Sequence, residues 1–338
     1  MLVLRHRTDV LRALSDTSYF QMAGVTADGT LAGCPLTGAE MQSPDGGLLN
    51  MDGRAHREYR RRLAHLFTRP AAELTRPGNR VLTAWLAADL ALNRSVDVLA
   101  GFAAPFTAEA VSWAMGTPKA DWGKILGFSQ VAFAVVPSPD AVRRVAGAWD
   151  DLYAYYGSRA PDASHLPGRM TIELGGYSHD QITHAIATVS NGFGAILPVL
   201  AVSLAEVARR PQIVNACLRG HRTWESVADE LLRTRAMFPV ALPRVARADT
   251  QLGSQFIAAG TTVLPSLIAA AHDSTGPAAC SIAFGAGAHF CPGAALTRVW
   301  LTEALAGFFG MYPNARLAGD LDSSQPLDIH CSDTAREQ

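Results

Sequence analysis

Apolar positions along this chain recur mostly at helical spacing. Within 140–156, Val142, Val145, Trp149, Leu152 and Tyr156 make one stripe of a 3.6-residue repeat and predict an amphipathic helix. The repeat returns after Gly293, at Ala294, Ala295, Leu296, Val299, Trp300, Leu301, Ala304, Leu305 and Phe308, and predicts another long helix. Ser178 and Gln181 have the Ser-x-x-Gln spacing of a capping box and open a third. Residues 185–205 carry no charge, which raises a membrane span. Ser190, Asn191, Gly192, Gly194 and Pro198 interrupt that run, so a buried helix of a soluble protein is expected instead.

Strand patterns are short and few. Residues 2–20 read as a strand and a helix with Val10, Leu11 and Leu14 on one face. Residues 244–272 read as hairpins with turns at Gly253 and Gly260 and a strand from Thr261 to Leu264. Residues 22–50 and 160–176 are rich in glycine and proline and read as loops. The fold class is therefore mainly α with small β-sheets, in a single domain over 1–338.

Composition narrows the function more than the fold. The chain has 338 residues, 49% hydrophobic and 17% charged, enough for a large core. Its net charge of -1 gives no reason to expect nucleic acid. Five scattered cysteines (Cys34, Cys217, Cys280, Cys291 and Cys331), none in a Cys-x-x-Cys pair, argue against a disulfide framework or a zinc site. The first residues hold too short an apolar run for a signal peptide, so a cytoplasmic protein is expected.

Candidate chemistry concentrates in Phe284-Gly-Ala-Gly-Ala-His-Phe-Cys-Pro-Gly293. Glycines at this density let a backbone take positive φ and approach a bulky group closely. Cys291 falls just before a predicted helix N-terminus, where the macrodipole favours a thiolate. A thiolate so placed suits a soft axial ligand for haem iron.

This stretch resembles the haem-binding signature of the cytochrome P-450 superfamily, Phe-Gly-x-Gly-x-His-x-Cys-x-Gly, at all six fixed positions. The resemblance implies the P-450 fold over about residues 2–310, shortened at the N-terminus and in the meander before the Cys loop. It implies haem b with Cys291 as metal ligand and with Phe284, Gly285, His289 and Gly293 shaping the loop. Residues 51–68 look like the family's Asp-x-x-x-His-x-x-x-Arg helix. His56 and Arg60, four apart, share a face and would hold a haem propionate by charge-assisted hydrogen bonds. Arg244, in Pro243-Arg-Val-Ala246, resembles a third propionate ligand. Arg57, Arg61 and Arg62 point elsewhere and would meet an acidic ferredoxin, or form an ordinary charged face.

Spacings from Pro211 and from Glu230 place Asn191-Gly-Phe-Gly-Ala-Ile196 where the family usually has Ala-Gly-x-(acid or amide)-Thr-Thr. Gly192 keeps the close approach, and Asn191 precedes it. Gly194 and Ala195 replace the acid and the alcohol that relay protons during oxygen activation. A second Ala-Gly-Thr-Thr, at 259–262, comes too late in the chain to be that motif. Glu230-Leu-Leu-Arg233 resembles the family's Glu-x-x-Arg ion pair. No arginine lies between Asp273 and Phe284 to complete its usual network. The loop at 22–50 and the residues Phe193, Ala195, Phe238, Val240 and Ala241 are expected to line the substrate pocket. Three functions follow: a haem-thiolate oxidase of a small natural product with a ferredoxin-type donor; the same scaffold running coupling, rearrangement or peroxide-driven chemistry; or a haem-free docking module. No nucleic acid or membrane partner is expected.

Overall fold

The computed structural model describes residues 2–22, 48–49, 51–90, 95–132, 139–234, 240–273, 282–318 and 328–330. Fourteen α-helices occur among them: α1 (Arg7–Ser15), α2 (Gly53–Leu63), α3 (Arg69–Glu73), α4 (Arg76–Leu90), α5 (Ala104–Met115), α6 (Trp122–Ala132), α7 (Pro139–Gly157), α8 (Leu166–Glu173), α9 (His179–Gly194), α10 (Ile196–Ala208), α11 (Pro211–Leu218), α12 (Trp224–Thr234), α13 (Leu267–His272) and α14 (Ala294–Met311). Nine short strands accompany them: β1 (Leu2–Leu4), β2 (Phe20–Met22), β3 (Ser95–Asp97), β4 (Arg244–Ala246), β5 (Thr250–Leu252), β6 (Gln255–Ile257), β7 (Thr262–Pro265), β8 (Arg316–Leu317) and β9 (Asp328–His330). They form a sheet of order β1-β7-β4-β2, a sheet of order β3-β9-β8 and the hairpin β5-β6. This is the mainly α fold with small sheets that the sequence predicts. The chain divides into two compact units.

The first unit comprises Met1–Leu66, Gly127–Asn191 and Leu232–Pro292. Its four-stranded sheet pairs β1 with β7 in parallel and the remaining strands antiparallel, with Arg244 opposite both Met22 and Val263. Val10 and Leu14 of α1 pack with Phe20, Val263 and Ile282 in one buried cluster, and Leu11 is partly buried against it. Turn glycines sit where expected, with φ of 54° at Gly253 and 81° at Gly260. The capping box of α9 is reciprocal: Gln181 N donates to Ser178 Oγ at 3.2 Å and Ser178 N to Gln181 Oε1 at 3.1 Å. α7 buries Leu152 and Tyr156, as its stripe predicts, while the side chains of Val142 and Val145 lie outside the described residues.

Residues 160–176 correct the sequence reading, since α8 occupies much of that stretch. Pro167 sits in its first turn, where a missing N–H costs nothing. Gly168 is needed there, because a Cβ would stand 2.2 Å from the Asp162 backbone. Met170 and Leu174 are fully buried and anchor the helix.

The second unit comprises Phe67–Leu126, Gly192–Leu231 and Gly293–Gln338. α4 lies along α14, where Gly307 lets the two approach: a Cβ at that position would meet Thr83 Cγ2 at 2.2 Å. Phe102, Phe106, Trp300 and Phe308 bury almost completely between the helices of this unit. Glu303, 4% exposed, accepts from Arg76 and from Arg80, the latter at 2.7 Å. One helix among the described residues, His179–Ala208, is long and apolar enough to cross a membrane, and 78% of its apolar window is buried inside the protein.

Candidate active site

The Cys loop is held by its own backbone and by α2. Gly285 N donates to Ile282 O at 2.9 Å, and Cys291 N to Phe284 O at 2.9 Å, which closes the loop. Phe284 is buried and meets Phe290 edge to face at 6.3 Å. Gly285 and Gly287 have φ of 72° and 71°, open to glycine at no steric cost. The two differ in what surrounds them. A Cβ at Gly285 would meet nothing within 4 Å, whereas one at Gly287 would stand 2.4 Å from Leu14 O of α1. At Gly287 the close approach is to the protein's own backbone. Cys291 is half-buried, and α14 begins three residues later, with Gly293 as its N-cap.

Arg60 of α2 reaches this loop. Its Nη1 donates to Ala288 O at 3.0 Å and its Nη2 to Phe290 O. Burial pulls the Arg60 pKa down, and the nearby Cys291 opposes that pull. The sequence reading assigned Arg60 to a propionate; in this structure its guanidinium clamps two loop carbonyls beside the cysteine.

His56, one turn earlier on α2, is fully buried. Its ring stacks on that of His289, centroids 3.9 Å apart and planes 14° apart. Neither ring nitrogen of His56 has a hydrogen-bond partner among the described residues, and neither does His289 Nε2. Burial, then His289 and Arg60, pull the His56 pKa down to about 3. Arg244 of β4 is 4% exposed; its Nη1 donates to Leu242 O at 2.8 Å, and burial pulls its pKa down to about 10.

Asp52, the first residue of the Asp-x-x-x-His-x-x-x-Arg motif and given no role of its own from the sequence, joins this cluster. It is the N-cap of α2, accepting from Gly53 N at 2.8 Å, and also accepts from Met22 N at 2.9 Å. Its Oδ1 lies 3.7 Å from His289 Nε2. Burial opposes ionisation, but His289 and the two backbone N–H groups outweigh it and hold the carboxyl well below its usual range. Its signal in the sequence was its position before a helix.

Along α9, Asn191 is 1% exposed. Gly192 is exposed between buried neighbours, and a Cβ there would meet nothing within 4 Å. Phe193 is not a pocket residue: its ring stacks on Trp300 at 5.3 Å, inside the second unit's core. Ala195 is buried at the break between α9 and α10. Val240 pairs with Ser266 in a single bridge, and Ala241 N donates to Pro265 O at 2.8 Å, so both follow the end of β7. Phe238 and most of the 22–50 loop lie outside the described residues.

The predicted Glu230–Arg233 pair is replaced by another network. Among the described residues Glu230 accepts from Arg210 Nη1 at 3.1 Å and Arg222 Nη2 at 2.5 Å, and Arg233 is exposed in the last turn of α12. Arg210 precedes α11 and Arg222 precedes α12, so both guanidinium groups reach back to the carboxylate. This closes the network without an arginine from the meander.

The residues present fit haem. Buried imidazole nitrogens with no protein partner call for one from outside, because leaving them unmet is costly. A carboxylate on the cofactor's edge meets that need, and a half-buried cysteine lies on the adjoining loop.

No family model matches the chain. Nocardicin C N-oxygenase of Nocardia uniformis subsp. tsuyamanensis is 26% identical over 94% of this chain and 83% of its own length. Mycinamicin IV hydroxylase/epoxidase of Micromonospora griseorubida is 28% identical over 94% and 83%. A mutant of P450 EryK in complex with erythromycin B matches with a TM-score of 0.81 and 22% identity, over 99% of this chain and 92% of that one, a likeness of fold. Fold, loop and relatives together define an enzyme of the haem-thiolate monooxygenase type. The chain belongs to the cytochrome P-450 superfamily, alongside bacterial members. Its cofactor is haem with the iron held by a cysteine thiolate.

Proposed function

We propose that this enzyme oxidises a small natural-product intermediate with dioxygen, using electrons delivered singly by a redox partner, with Cys291 as the iron's ligand. The observation that carries the reading is the half-buried Cys291 on a loop whose His289 stacks on the buried His56, both of whose ring nitrogens lack a hydrogen-bond partner among the described residues, beside Arg60 and Arg244. Haem bound there supplies the one-electron and oxygen chemistry that side chains lack. His56 and Arg244 would hold its carboxylates, and Arg60 keeps the loop carbonyls oriented beside the thiolate. Relatives acting as an N-oxygenase and as a hydroxylase/epoxidase support a natural-product substrate and leave several reaction types open to the scaffold. Arg57 and Arg61, exposed on α2, suit an acidic donor of the ferredoxin type. The test is the absorption spectrum of the reduced protein under carbon monoxide. A red-shifted, thiolate-type Soret band is expected, and a protein that takes up no haem would sink the reading.

A second reading is favoured by Gly194 and Ala195, which offer no acid or alcohol for proton transfer. It is the same site performing oxidative coupling, rearrangement or peroxide-driven oxidation. Product mass and oxidant together separate the two: gain of one oxygen that needs dioxygen and electrons marks the first, whereas loss of two hydrogens marks coupling, an unchanged mass marks rearrangement, and gain of one oxygen from added peroxide without electrons marks peroxide-driven oxidation.

A further inference from the structure

Three buried side-chain polar atoms that lack a hydrogen-bond partner among the described residues share one helix: His184 Nδ1, Thr188 Oγ1 and Asn191 Oδ1 on α9. Their residues are 7%, 9% and 1% exposed. With Asp180 they stand at positions i, i+4, i+8 and i+11, which at 3.6 residues per turn fall within roughly 80° around the axis. Two helical threonines satisfy their hydroxyls on the preceding turn, Thr171 on Pro167 O at 2.9 Å and Thr297 on Gly293 O at 3.0 Å, whereas Thr83 and Thr107, like Thr188, do not. The row also has an outer end. Asp180 is exposed and accepts from Tyr153 Oη at 2.6 Å, while the Tyr153 ring lies 6.0 Å from that of His184. The Trp149 ring lies nearly parallel to the same imidazole, 15° off, with centroids 6.3 Å apart.

We propose that this face of α9 is a proton inlet, in which waters bridged by His184 and Thr188 carry protons from solvent at Asp180 to a last water held by Asn191 Oδ1. The two four-residue steps rise about 6 Å each, the span of one water with a hydrogen bond of about 2.8 Å on either side, and the last, three-residue step rises about 4.5 Å. A neutral imidazole has one donor and one acceptor nitrogen, and a hydroxyl donates and accepts, so both can pass a proton on. Burial lowers the His184 pKa and keeps the ring neutral. Asn191 is a positioning residue, since an amide holds water but does not conduct. Asp180, His184, Thr188 and the waters between them each take one proton from the outer side and give one to the inner side, ending at the water that Asn191 holds. One proton moves inward, no electron moves, and solvent reprotonates Asp180. The inlet rests on the oxidase reading above and gives it the proton source that Gly194 and Ala195 do not.

The test uses the haem-loaded enzyme, its Thr188→Val and Thr188→Ser variants, and Thr183→Val as control. Thr183 is buried on the same helix, off this face, with its hydroxyl 3.5 Å from His179 Nε2. A high-resolution crystal structure is expected to place ordered waters on His184 Nδ1, Thr188 Oγ1 and Asn191 Oδ1, with the middle one lost in Thr188→Val. Peroxide released per electron pair should rise roughly tenfold in Thr188→Val, with a changed solvent deuterium effect. Thr188→Ser should restore both, and Thr183→Val should move neither. A dry face overturns the inlet. So do a substrate polar group seated on these atoms and a Thr188→Val enzyme coupled as tightly as the parent. The thiolate spectrum of the parent enzyme is read separately: its absence overturns the oxidase reading, whatever the waters show.

Discussion

The imidazole of His56 lies flat on that of His289, 3.9 Å between centroids and 14° from parallel. One ring comes from the helix of the Asp-x-x-x-His-x-x-x-Arg motif and the other from the Cys loop, 233 positions further along by their numbers (289 − 56). The stack ties α2 to the loop with two neutral rings. Burial is the first cause of the depressed pKa of both.

This stack predicts acid sensitivity of the haem-free protein. The folded His56 pKa, about 3, is below its ordinary value of 6.5. Between these values the unfolded chain binds the proton and the folded chain does not, so stability falls as pH drops from 6.5 towards 3. The slope is about 1.4 kcal/mol per pH unit for one such group. Urea midpoints between pH 7 and 4.5 should show it, and His56→Phe should flatten it. A variant with the parent's slope would remove His56 as the cause. Haem should also flatten the slope, because a carboxylate beside the ring stabilises its charged form.

Cys291→Ser should abolish the thiolate spectrum and turnover while leaving the fold intact. Cys217→Ser should change neither, since Cys217 lies on α11, half-buried, where burial pushes its thiol pKa up. Spectra of the two variants side by side decide this, and a thiolate band surviving in Cys291→Ser would contradict the assignment.

Glu230 predicts an asymmetry that its motif does not. Its carboxyl pKa is lowered, first by the hydrogen bond from Arg222. All three side chains remain roughly a third exposed, so the network is worth about 1 kcal/mol rather than the several of a buried one. Glu230→Gln and Arg222→Ala should each lower stability by about that amount, and Arg233→Ala by less than about 0.5 kcal/mol. Equal losses in Glu230→Gln and Arg233→Ala, from denaturant midpoints, would restore the predicted pair.

What could be read from the sequence was what depends on near neighbours. The capping box of Ser178 and Gln181, the stripe of Leu152 and Tyr156, and the turn at Gly260 are all decided within a few residues. α8 was hidden because Pro167 and Gly168 look like loop residues until their positions are known: one in a first helical turn, the other against the Asp162 backbone. Arg222 was missed because an ion pair between separate elements has no spacing. The α9 row was visible in principle, as four polar residues at helical intervals in an apolar helix. Their lack of partners was not, since it depends on what α7 places opposite them.

Gly287 and Gly285 give the sharpest contrast. Both have φ near 70°, so alanine at either position costs about 1–2 kcal/mol in backbone strain. At Gly285 no protein atom stands within 4 Å of the Cβ, so no clash with the chain adds to the strain. At Gly287 the Cβ would stand 2.4 Å from Leu14 O and 2.7 Å from Ser15 Cα, both backbone atoms at the end of α1. Neither can rotate away. Either α1 or the loop must shift, and α1 is anchored by the fully buried Val10 and by Leu14. Overpacking of this kind costs about 1–3 kcal/mol beyond the strain. The loop is the more exposed partner and should yield, carrying His289 off His56 and Cys291 out of register. Gly285→Ala should therefore lower the melting temperature modestly and keep the thiolate spectrum. Gly287→Ala should lower it further and lose haem on gel filtration. Variants indistinguishable in both measurements would show that α1 does not set the seat of the Cys loop.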